Sequence, residues 1–414
     1  MPMHFWNVLA VILSLTALFG YLNERFLKLP ASIGIMFLAL ISSLIMVVMQ
    51  QAGFALDSTA QMLLNKVDFD QTLLHGLAGF LLFAGALTID IARLKRNAAM
   101  VAVWALVGTL LSTLFVGGLS FLLLKGMGFS ISLCYCLMFG ALISPTDQVA
   151  VFAILKKTGA PENLEMQIIG ESLFNDGISL TLFLLFFHLN FDSASVDLIS
   201  TLTLFVRETL GGLAFGAVTG GCFYYFMHGV RDHSVVILLF LAVASGGYSL
   251  AEQFGISGPL SMVVAGLILG HDGKHYRAMS SAAHSRVKLF WTLVDEILNA
   301  LLFMLLGLEF LMIFKLENHL WVLLAIPVVL ISRFGSIGLP WLVLKRYYPL
   351  EHGTLPILTW SGIRGGLSVA LALSLPAGFD RNIIVAMTYS SVIFSVLVQG
   401  TTLGSVVKCF MTKN

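Results

Sequence analysis

Charged side chains are scarce in this chain of 414 residues, at 11% of the sequence against about 25% in a typical soluble protein. Because 58% of the residues are hydrophobic, a soluble fold could not cover its surface with so few charges. Lysine plus arginine (23) nearly equals aspartate plus glutamate (22), so no charge excess indicates nucleic acid as a partner. The four cysteines form neither a disulfide framework nor two pairs of metal ligands. These absences leave a polytopic membrane protein.

Long apolar runs are what the sequence has in abundance. About 20 mostly apolar residues cross a bilayer core as a helix, and thirteen such runs are present. The predicted spans are 5–22, 30–50, 72–91, 98–124, 130–155, 166–190, 200–228, 234–251, 254–271, 289–312, 320–344, 355–376 and 382–407. The first run lacks the basic start and the cleavage site of a signal peptide, so we expect it to be retained. The predicted fold is an all-α polytopic membrane protein, a single transmembrane domain over 1–414 without a soluble domain.

Lysine and arginine are shared unevenly between the predicted loops. If the N-terminus lies outside, 16 of the 23 fall in segments that face inward and four in segments that face outward. Short cytoplasmic loops carry an excess of positive residues in membrane proteins. The bias therefore predicts an outer N-terminus, a cytoplasmic C-terminus and an odd number of spans.

Charge within a span is costly and usually functional, and five ionisable residues near the predicted membrane midplane stand out. They are Asp147, Glu171, Asp176, Arg333 and Arg364. One interpretation is that they pair with one another and stiffen helix packing; the other is that they mark an ion pathway. Both interpretations stay open for Glu171, Arg333 and Arg364, whereas the surroundings of the two aspartates favour the functional one.

Asp147 follows a predicted helix break. Pro145 lacks a backbone donor and disfavours helix at the residue before it, and irregular backbone at membrane depth is tolerated only inside protein or along a wet cavity. In the next span, Ser172 lies three residues before Asn175 and four before Asp176, so a hydroxyl, an amide oxygen and a carboxylate share one helix face. Such hard oxygen ligands suit a small alkali cation.

A second break is predicted where Arg364 stands among Gly362, Gly365 and Gly366. With 200–228 set aside as a linker, the remaining spans form two six-helix halves, and both breaks fall in the fifth span of a half. One half plus the linker contains seven spans, an odd number, so the second half is inverted. Broken helices that cross in inverted repeats hold the ion sites of secondary transporters. We therefore predict two inverted six-helix repeats whose broken helices, in the fifth and twelfth spans, cross.

The charges inside the spans do not cancel. Three acids and two arginines leave one unmatched carboxylate, provided that all five share one region of low dielectric constant. A buried carboxylate can be neutralised by one proton or by one monovalent cation. Binding neither ion, or both at once, leaves a net charge in a region of low dielectric constant, which is costly. The tally predicts one-for-one exchange.

Four segments resemble, in order along the chain, motifs of the monovalent cation:proton antiporter family, in its NhaP branch related to the animal sodium–proton exchangers. The segment Ser144-Pro-Thr-Asp-Gln-Val-Ala-Val151 resembles S-x-T-D-P-V-A-V, and Gly170-Glu-Ser-Leu-Phe-Asn-Asp-Gly177 matches G-E-S-x-x-N-D-G. The segment 359–370 is similar to the motif around G-G-L-R-G-G, and 298–309 resembles L-N-x-x-L-F-x-L-x-G-L-E. Any one motif is weak evidence, but four in sequence over nearly the whole chain are specific.

The resemblance implies a secondary antiporter of Na⁺ (or Li⁺ or K⁺) against H⁺, not an enzyme, with no cofactor and with the lipid bilayer as its surroundings. It implies alternating access and an electroneutral cycle in the cell inner (plasma) membrane. The implied ion site has Asp176 as the main carboxylate for both ions, with Asn175 beside it and Asp147, Thr146 and Ser172 completing it.

The resemblance also implies how the chain is divided. Glu171 would pair with an arginine, Arg333, in the core, and Arg364 would lie near the crossing of the broken helices. A homodimer is implied in which a core moves against a dimerisation side. The implied ranges are 98–190 and 320–407 for the core, and 1–91, 200–228 and 234–312 for the dimerisation side.

Two positions depart from the family pattern. Gln148 stands where the motif usually has proline, and Ala84 stands where some prokaryotic members carry glutamate, so an auxiliary acid is absent there. A third feature, Asp295-Glu296 near the predicted start of the tenth span, has two interpretations. The pair could attract cations toward an inward funnel, or it could be a hydrated helix end.

Two other functions compete with antiport. A cation channel would need a continuous pore, often with symmetric filter rings, which a single carboxylate site between broken helices fits less well. An intramembrane aspartyl hydrolase would need two acids at bonding distance, a role open to Asp147 and Asp176. The chain has no Gly-x-Gly-Asp segment, and Ser172 and Asn175 add cation ligands instead of a peptide groove.

Overall fold

A computed structural model describes residues 5–51, 78–191, 198–270, 281–313, 320–348, 350–351, 353–376 and 378–411. These residues fold into helices joined by short connections, and no strand occurs among them. Each of the thirteen predicted spans coincides with a helical segment, which confirms the all-α prediction; of the third span, residues 72–77 lie outside the described part. Within these described ranges, eight helices are individually long and apolar enough to cross a membrane.

The first seven helices come in this order. They are α1 Phe5–Leu22, α2 Ala31–Gln51, α3 Ala78–Leu87, α4 Ile91–Gly126, α5 in two halves, α5a Leu133–Ile143 and α5b Gln148–Thr158, α6 Glu162–Phe191 and α7 Leu198–Phe226. A π-helical turn, Asn23–Leu27, extends α1, and another, Val103–Gly108, interrupts α4. Such turns add one residue to a helical repeat and re-aim the residues beyond them.

The second half repeats this order after α7. Its helices are α8 His233–Gln253, α9 Gly258–Leu269, α10 Ser281–Ile313, α11 Ala325–Leu344, α12 in two halves, α12a Thr354–Trp360 and α12b Gly366–Leu373, and α13, which joins Phe379–Phe394 to Gly400–Met411 through the π turn Ser395–Gln399. Another π turn, Val243–Gly247, lies within α8. The broken helices are thus the fifth of each half, as predicted.

Local sequence explains where several helices begin. The side chain of Asp90 caps α4 by accepting hydrogen bonds from the backbone N–H groups of Ala92 and Arg93. Asp232 caps α8 by accepting one from the N–H of Ser234. Ser257 caps α9, and Pro259 follows in its first turn, where a missing N–H is harmless. This position explains why proline does not interrupt the ninth span.

The two breaks cross, as predicted. The backbone N–H of Asp147, in the break of α5, donates to the carbonyl of Ile363, in the break of α12, at 2.7 Å. A Cβ added at Gly365 would lie 3.3 Å from the Cβ of Asp147, and one at Gly366 would collide with the side chain of Leu302. The glycines therefore let the second break approach both the first break and α10.

A ridge of glycines joins α7 to α9. A Cβ at Gly216 would lie 2.9 Å from the Cα of Ser261 and closer still to its carbonyl oxygen, and Gly212 and Gly220 make similar main-chain approaches. The hydroxyl of Ser261 donates to the carbonyl of Gly212 at 3.0 Å. Small residues at such spacing let membrane helices pack closely, and here they let α7 pack against α9 of the same chain.

The helices pack as two groups of neighbours. In one group α10 packs along α2, and α9 packs along α3 and α7. In the other, α4 packs along α5a and α11, and α6 packs on α4 and α5. The two groups also touch, since α6 packs on α7 and α9, and the division into a core and a dimerisation side stays a prediction. The helix α4 begins at Ile91 and not at 98.

The outer surface of the described helices is apolar. Large side chains are more than half exposed on helices of both halves, among them Leu122, Val218, Leu238, Ile331 and Val343. Water-soluble monomers rarely expose so much apolar surface. A bilayer is the solvent that suits this exterior.

Candidate functional site

Arg364 ties the two breaks together from inside the protein. Its side chain is almost fully buried, and its Nη1 donates to the carbonyl of Ser144 at 2.7 Å and to that of Pro145 at 3.4 Å. These carbonyls end α5a, where unpaired backbone oxygens and the helix dipole concentrate negative charge. The arginine therefore neutralises the end of one half-helix, next to the position where the other break crosses it.

Asp147 begins α5b and keeps one oxygen unused. Its Oδ1 accepts hydrogen bonds from the backbone N–H groups of Val149 at 2.9 Å and Ala150 at 3.1 Å. Its Oδ2 accepts no hydrogen bond and is buried, and the whole residue is only 8% exposed. A buried carboxylate oxygen without a donor is costly, so it marks a place where a proton or a cation fits.

Asp176 has the same pattern on α6. Its Oδ1 is buried and accepts no hydrogen bond. Beside it, the hydroxyl of Thr146 donates to that of Ser172 at 2.8 Å, and both residues are buried. Thr146 precedes Asp147 in the break of α5, and both residues line one cavity with Asp176.

Asn175 uses both ends of its amide within the protein. Its Oδ1 accepts from the hydroxyls of Thr109 at 2.8 Å and Ser179 at 2.9 Å. Its Nδ2 donates to the carbonyl of Ser144 at 2.8 Å and to Oε1 of Glu171 at 3.2 Å. This side chain therefore fastens α4, α5a and α6 together, and its oxygen is already saturated by two donors.

Glu171 and Arg333 form a buried, bidentate ion pair between α6 and α11. The distance from Nη1 to Oε1 is 2.8 Å and that from Nη2 to Oε2 is 2.9 Å. Nη2 also donates to the carbonyl of Leu358 in α12a, at 3.2 Å. Parallel N–H···O bonds of this kind are strong and directional, so the pair fixes the helices around the crossing.

A small cavity lies against the crossing. Its volume is about 60 Å³, room for a few water-sized species. The polar side chains that line it are Thr146, Asp147, Gln148, Asp176, Asp295 and Asn299. Ser172 and Asn175 are not among the residues of its wall, so of the five predicted ligands the structure brings three to the cavity and holds two behind it.

Asp295 and Asn299 reach this cavity from α10. They are four residues apart and so share a helix face, and Nδ2 of Asn299 donates to the carboxylate Oδ1 of Asp295 at 3.0 Å. The sequence placed Asp295 near a helix start, but α10 begins at Ser281 and not at 289, so the carboxylate lies fourteen residues into the helix. A sequence prediction that began this helix at Ser281 would have placed Asp295 at membrane depth.

The two departures from the family pattern lie side by side. Gln148 lines the cavity with a buried Oε1 that accepts no hydrogen bond. Its Nε2 approaches the backbone of Gly85 so closely that a Cβ there would collide with it, and the neighbouring Ala84 is fully buried. The glutamine thus adds a neutral oxygen to the cavity and fills the space beside α3.

Comparison with known proteins agrees with this architecture. Residues 13–409 match the family model described as sodium/hydrogen exchanger, transmembrane. The Na⁺/H⁺ antiporter NhaP of Pseudomonas aeruginosa is 41% identical over 408 residues, which are 97% of this chain and 96% of that protein. The Na⁺/H⁺ antiporter NhaH of Halobacillus aidingensis is 31% identical over 390 residues, 93% of each chain.

The fold is also that of a solved structure. The sodium proton antiporter MjNhaP1 from Methanocaldococcus jannaschii, at pH 8, superimposes with a TM-score of 0.77 at 19% identity, covering 98% of both chains. At this level of identity the likeness establishes a shared fold.

Proposed function

Because the chain belongs to the sodium/hydrogen exchanger family, we propose that it exchanges Na⁺ for H⁺ across a cell membrane, with the two ions taking turns at Asp176. The observation that carries this proposal is the pair of unpartnered carboxylate oxygens, Oδ2 of Asp147 and Oδ1 of Asp176. They belong to residues that line one small cavity at the crossing of two broken helices. Neither oxygen has a donor within the protein that would offset its burial.

Competition follows from the space and charge of this cavity. A proton on Asp176 makes its carboxyl group neutral and turns it into a donor, which removes one of the ligands that a cation needs. A cation held between Asp147 and Asp176 disfavours protonation of either oxygen, since like charges then meet in a region of low dielectric constant. One occupant therefore displaces the other.

The hydroxyls of Thr146 and Ser172 support the cation in this proposal. The Thr146 hydroxyl donates to that of Ser172, so the Thr146 oxygen keeps its lone pairs for a cation in the cavity that this residue lines. Asn175 acts differently from the role that the resemblance implies. With both ends of its amide in use, it holds the ligand-bearing segments in place.

The stoichiometry is proposed as one for one. Glu171 and Arg333 neutralise each other, and Arg364 is set against the carbonyl end of α5a. A proton or a sodium ion brings one positive charge to the two aspartates in turn, so the moving core has the same charge in both directions. Such a cycle transfers no net charge across the membrane.

Transport by alternating access is proposed for the two groups of helices. The group α4–α6 with α11–α13 carries the crossing, and we propose that it moves against the group α1–α3 with α7–α10. The latter group would form the contact of a homodimer. The orientation inferred from the loop charges, with the N-terminus outside and the C-terminus in the cytoplasm, belongs to the same proposal.

The experiment uses purified protein in liposomes that hold a pH-sensitive dye. Addition of Na⁺ should discharge an imposed pH gradient, and the Asp176→Asn variant should reduce this signal to background. The matched control is Asp232→Asn, which removes one exposed carboxylate while asparagine keeps the cap of α8. Exchange at the normal rate by Asp176→Asn would contradict the site, and no Na⁺-dependent proton movement by the unmodified protein would contradict the function.

A further inference from the structure

A third carboxylate faces the cavity from the opposite group of helices. Asp295 and Asn299 project from α10, whereas Asp147 and Asp176 belong to α5 and α6. Leu302, one turn further along α10, lines the same cavity and fills the space beside Gly366. The side chains of α10 therefore form the wall against which the crossing is set.

We propose that Asp295, held in place by Asn299, is a cation-attracting group that belongs to the ion site only while the crossing faces α10. This inference rests on the proposed antiport function and deepens it. It assigns the site two parts on different groups of helices, the carboxylates of Asp147 and Asp176 and the carboxylate of Asp295.

Two observations support a ligand at this place and not merely a cluster of acids. Oδ2 of Asp147 is buried, lacks any donor and belongs to a residue more than nine-tenths buried that lines the cavity. Oε1 of Gln148 is a second buried oxygen without a donor in the same wall. Buried oxygens that accept no hydrogen bond and line a small polar cavity can coordinate a cation or the water molecules bound to it.

Asp295 acts across the cavity. Among the described residues no three side chains of His, Cys, Asp and Glu lie close enough to enclose a metal ion together. The carboxylate of Asp295 therefore attracts the cation through space or through a water molecule, while Asp147 and Asp176 are the groups able to touch it. The hydrogen bond from Asn299 fixes one oxygen of Asp295 and leaves the other available to the cavity.

The consequence is a difference between the two sides of the membrane. When the crossing moves away from α10, the cation leaves the field of Asp295, so the affinity for Na⁺ differs between the two orientations. Because Asp295 stays on its own helix, its charge is not carried across the membrane. The ratio of ions exchanged, and hence the final pH gradient, does not depend on it.

The experiment measures the half-saturating Na⁺ concentration separately from each side, in liposomes sorted for one orientation of the protein. For Asp295→Asn we expect a rise of about tenfold on one side only, the size of a through-space interaction of one charge at moderate dielectric constant. On the other side the value should stay within about twofold, and the final pH gradient should not change. The matched control is Glu296→Gln, which removes the adjacent, exposed carboxylate and should shift neither side.

Two results would overturn the inference: equal shifts on both sides, or no shift beyond that of Glu296→Gln. A second variant covers a failure of Asp295→Asn to fold. Asn299→Ala keeps the charge but frees the carboxylate, so it should raise the half-saturating concentration on the same side by a smaller factor, and no change or a two-sided change would again count against the inference. Because each comparison requires exchange by the unmodified protein, failure of the proposed function is seen first and separately.

Discussion

Arg333 holds the carboxylate of Glu171 with two parallel hydrogen bonds of 2.8 and 2.9 Å, and both side chains are buried. One partner comes from α6, beside the aspartate of the proposed site, and the other from α11 in the opposite half of the chain. The pair therefore joins the two inverted halves at the depth of the ion site. We expect that removing it lowers the free energy of unfolding.

We expect Arg333→Met to destabilise the protein by about 3–5 kcal/mol, because it leaves Glu171 as a buried charge without a partner. Thermal unfolding of the purified protein in detergent measures the loss. The double variant Glu171→Gln with Arg333→Met removes both charges and should recover part of it. If the double variant is as unstable as the sum of the two single variants, the two residues do not act as a pair.

Asp147 has a structural and an ionic part that substitutions can separate. Asparagine can accept the hydrogen bonds from Val149 and Ala150 but carries no charge, so Asp147→Asn should fold normally and lose exchange. Asp147→Ala also removes the cap of α5b and should cost about a further 1 kcal/mol in thermal unfolding. Equal loss of stability by both variants would show that the cap contributes nothing.

The glycine ridge of α7 provides a packing test with its own control. Gly216→Ala would press a Cβ onto the main chain of Ser261, and overpacking of this kind costs about 1–3 kcal/mol. Gly221→Ala adds the same atom where nothing lies within 4 Å and should change the unfolding temperature little. Similar behaviour of the two variants would mean that α7 and α9 pack less closely than described.

Competition for one carboxylate predicts a particular dependence on pH. As the pH on the side of Na⁺ entry falls, more of the site is protonated, so the half-saturating Na⁺ concentration should rise while the maximal rate stays the same. The rise should approach tenfold per pH unit once protons dominate the site. Initial rates in liposomes at several pH values test this, and a fall of the maximal rate at constant half-saturation would exclude competition at a shared site.

Much of the fold could be predicted because apolar length, proline and glycine act locally. The breaks followed from Pro145 and from the glycines around Arg364, and their crossing followed from the equivalence of the two halves. The charged pair of Glu171 and Arg333 was suggested by the motif, but its bidentate geometry depends on how α6 and α11 pack. The π turns were not predicted, since they are set by packing between helices and leave no pattern in the sequence.

The site was predicted less completely than the fold. Asn175 looked like a ligand because its spacing from Ser172 puts both on one helix face, yet its partner Thr109 lies 66 residues away on α4 and takes up its oxygen. Asp295 was placed at a helix end because the apolar run begins later than the helix does. The first error comes from a contact between distant parts of the chain, and the second from polar residues that extend a helix beyond its apolar run.

The bond between the two breaks is made by the main chain, from the N–H of residue 147 to the carbonyl of Ile363. Its two ends do not depend on which side chains occupy these positions, so ordinary substitutions during evolution can alter the chemistry of the site while the breaks stay coupled. Only proline at 147 would delete the donor. Ion preference can therefore drift from one descendant to the next on an unchanged scaffold.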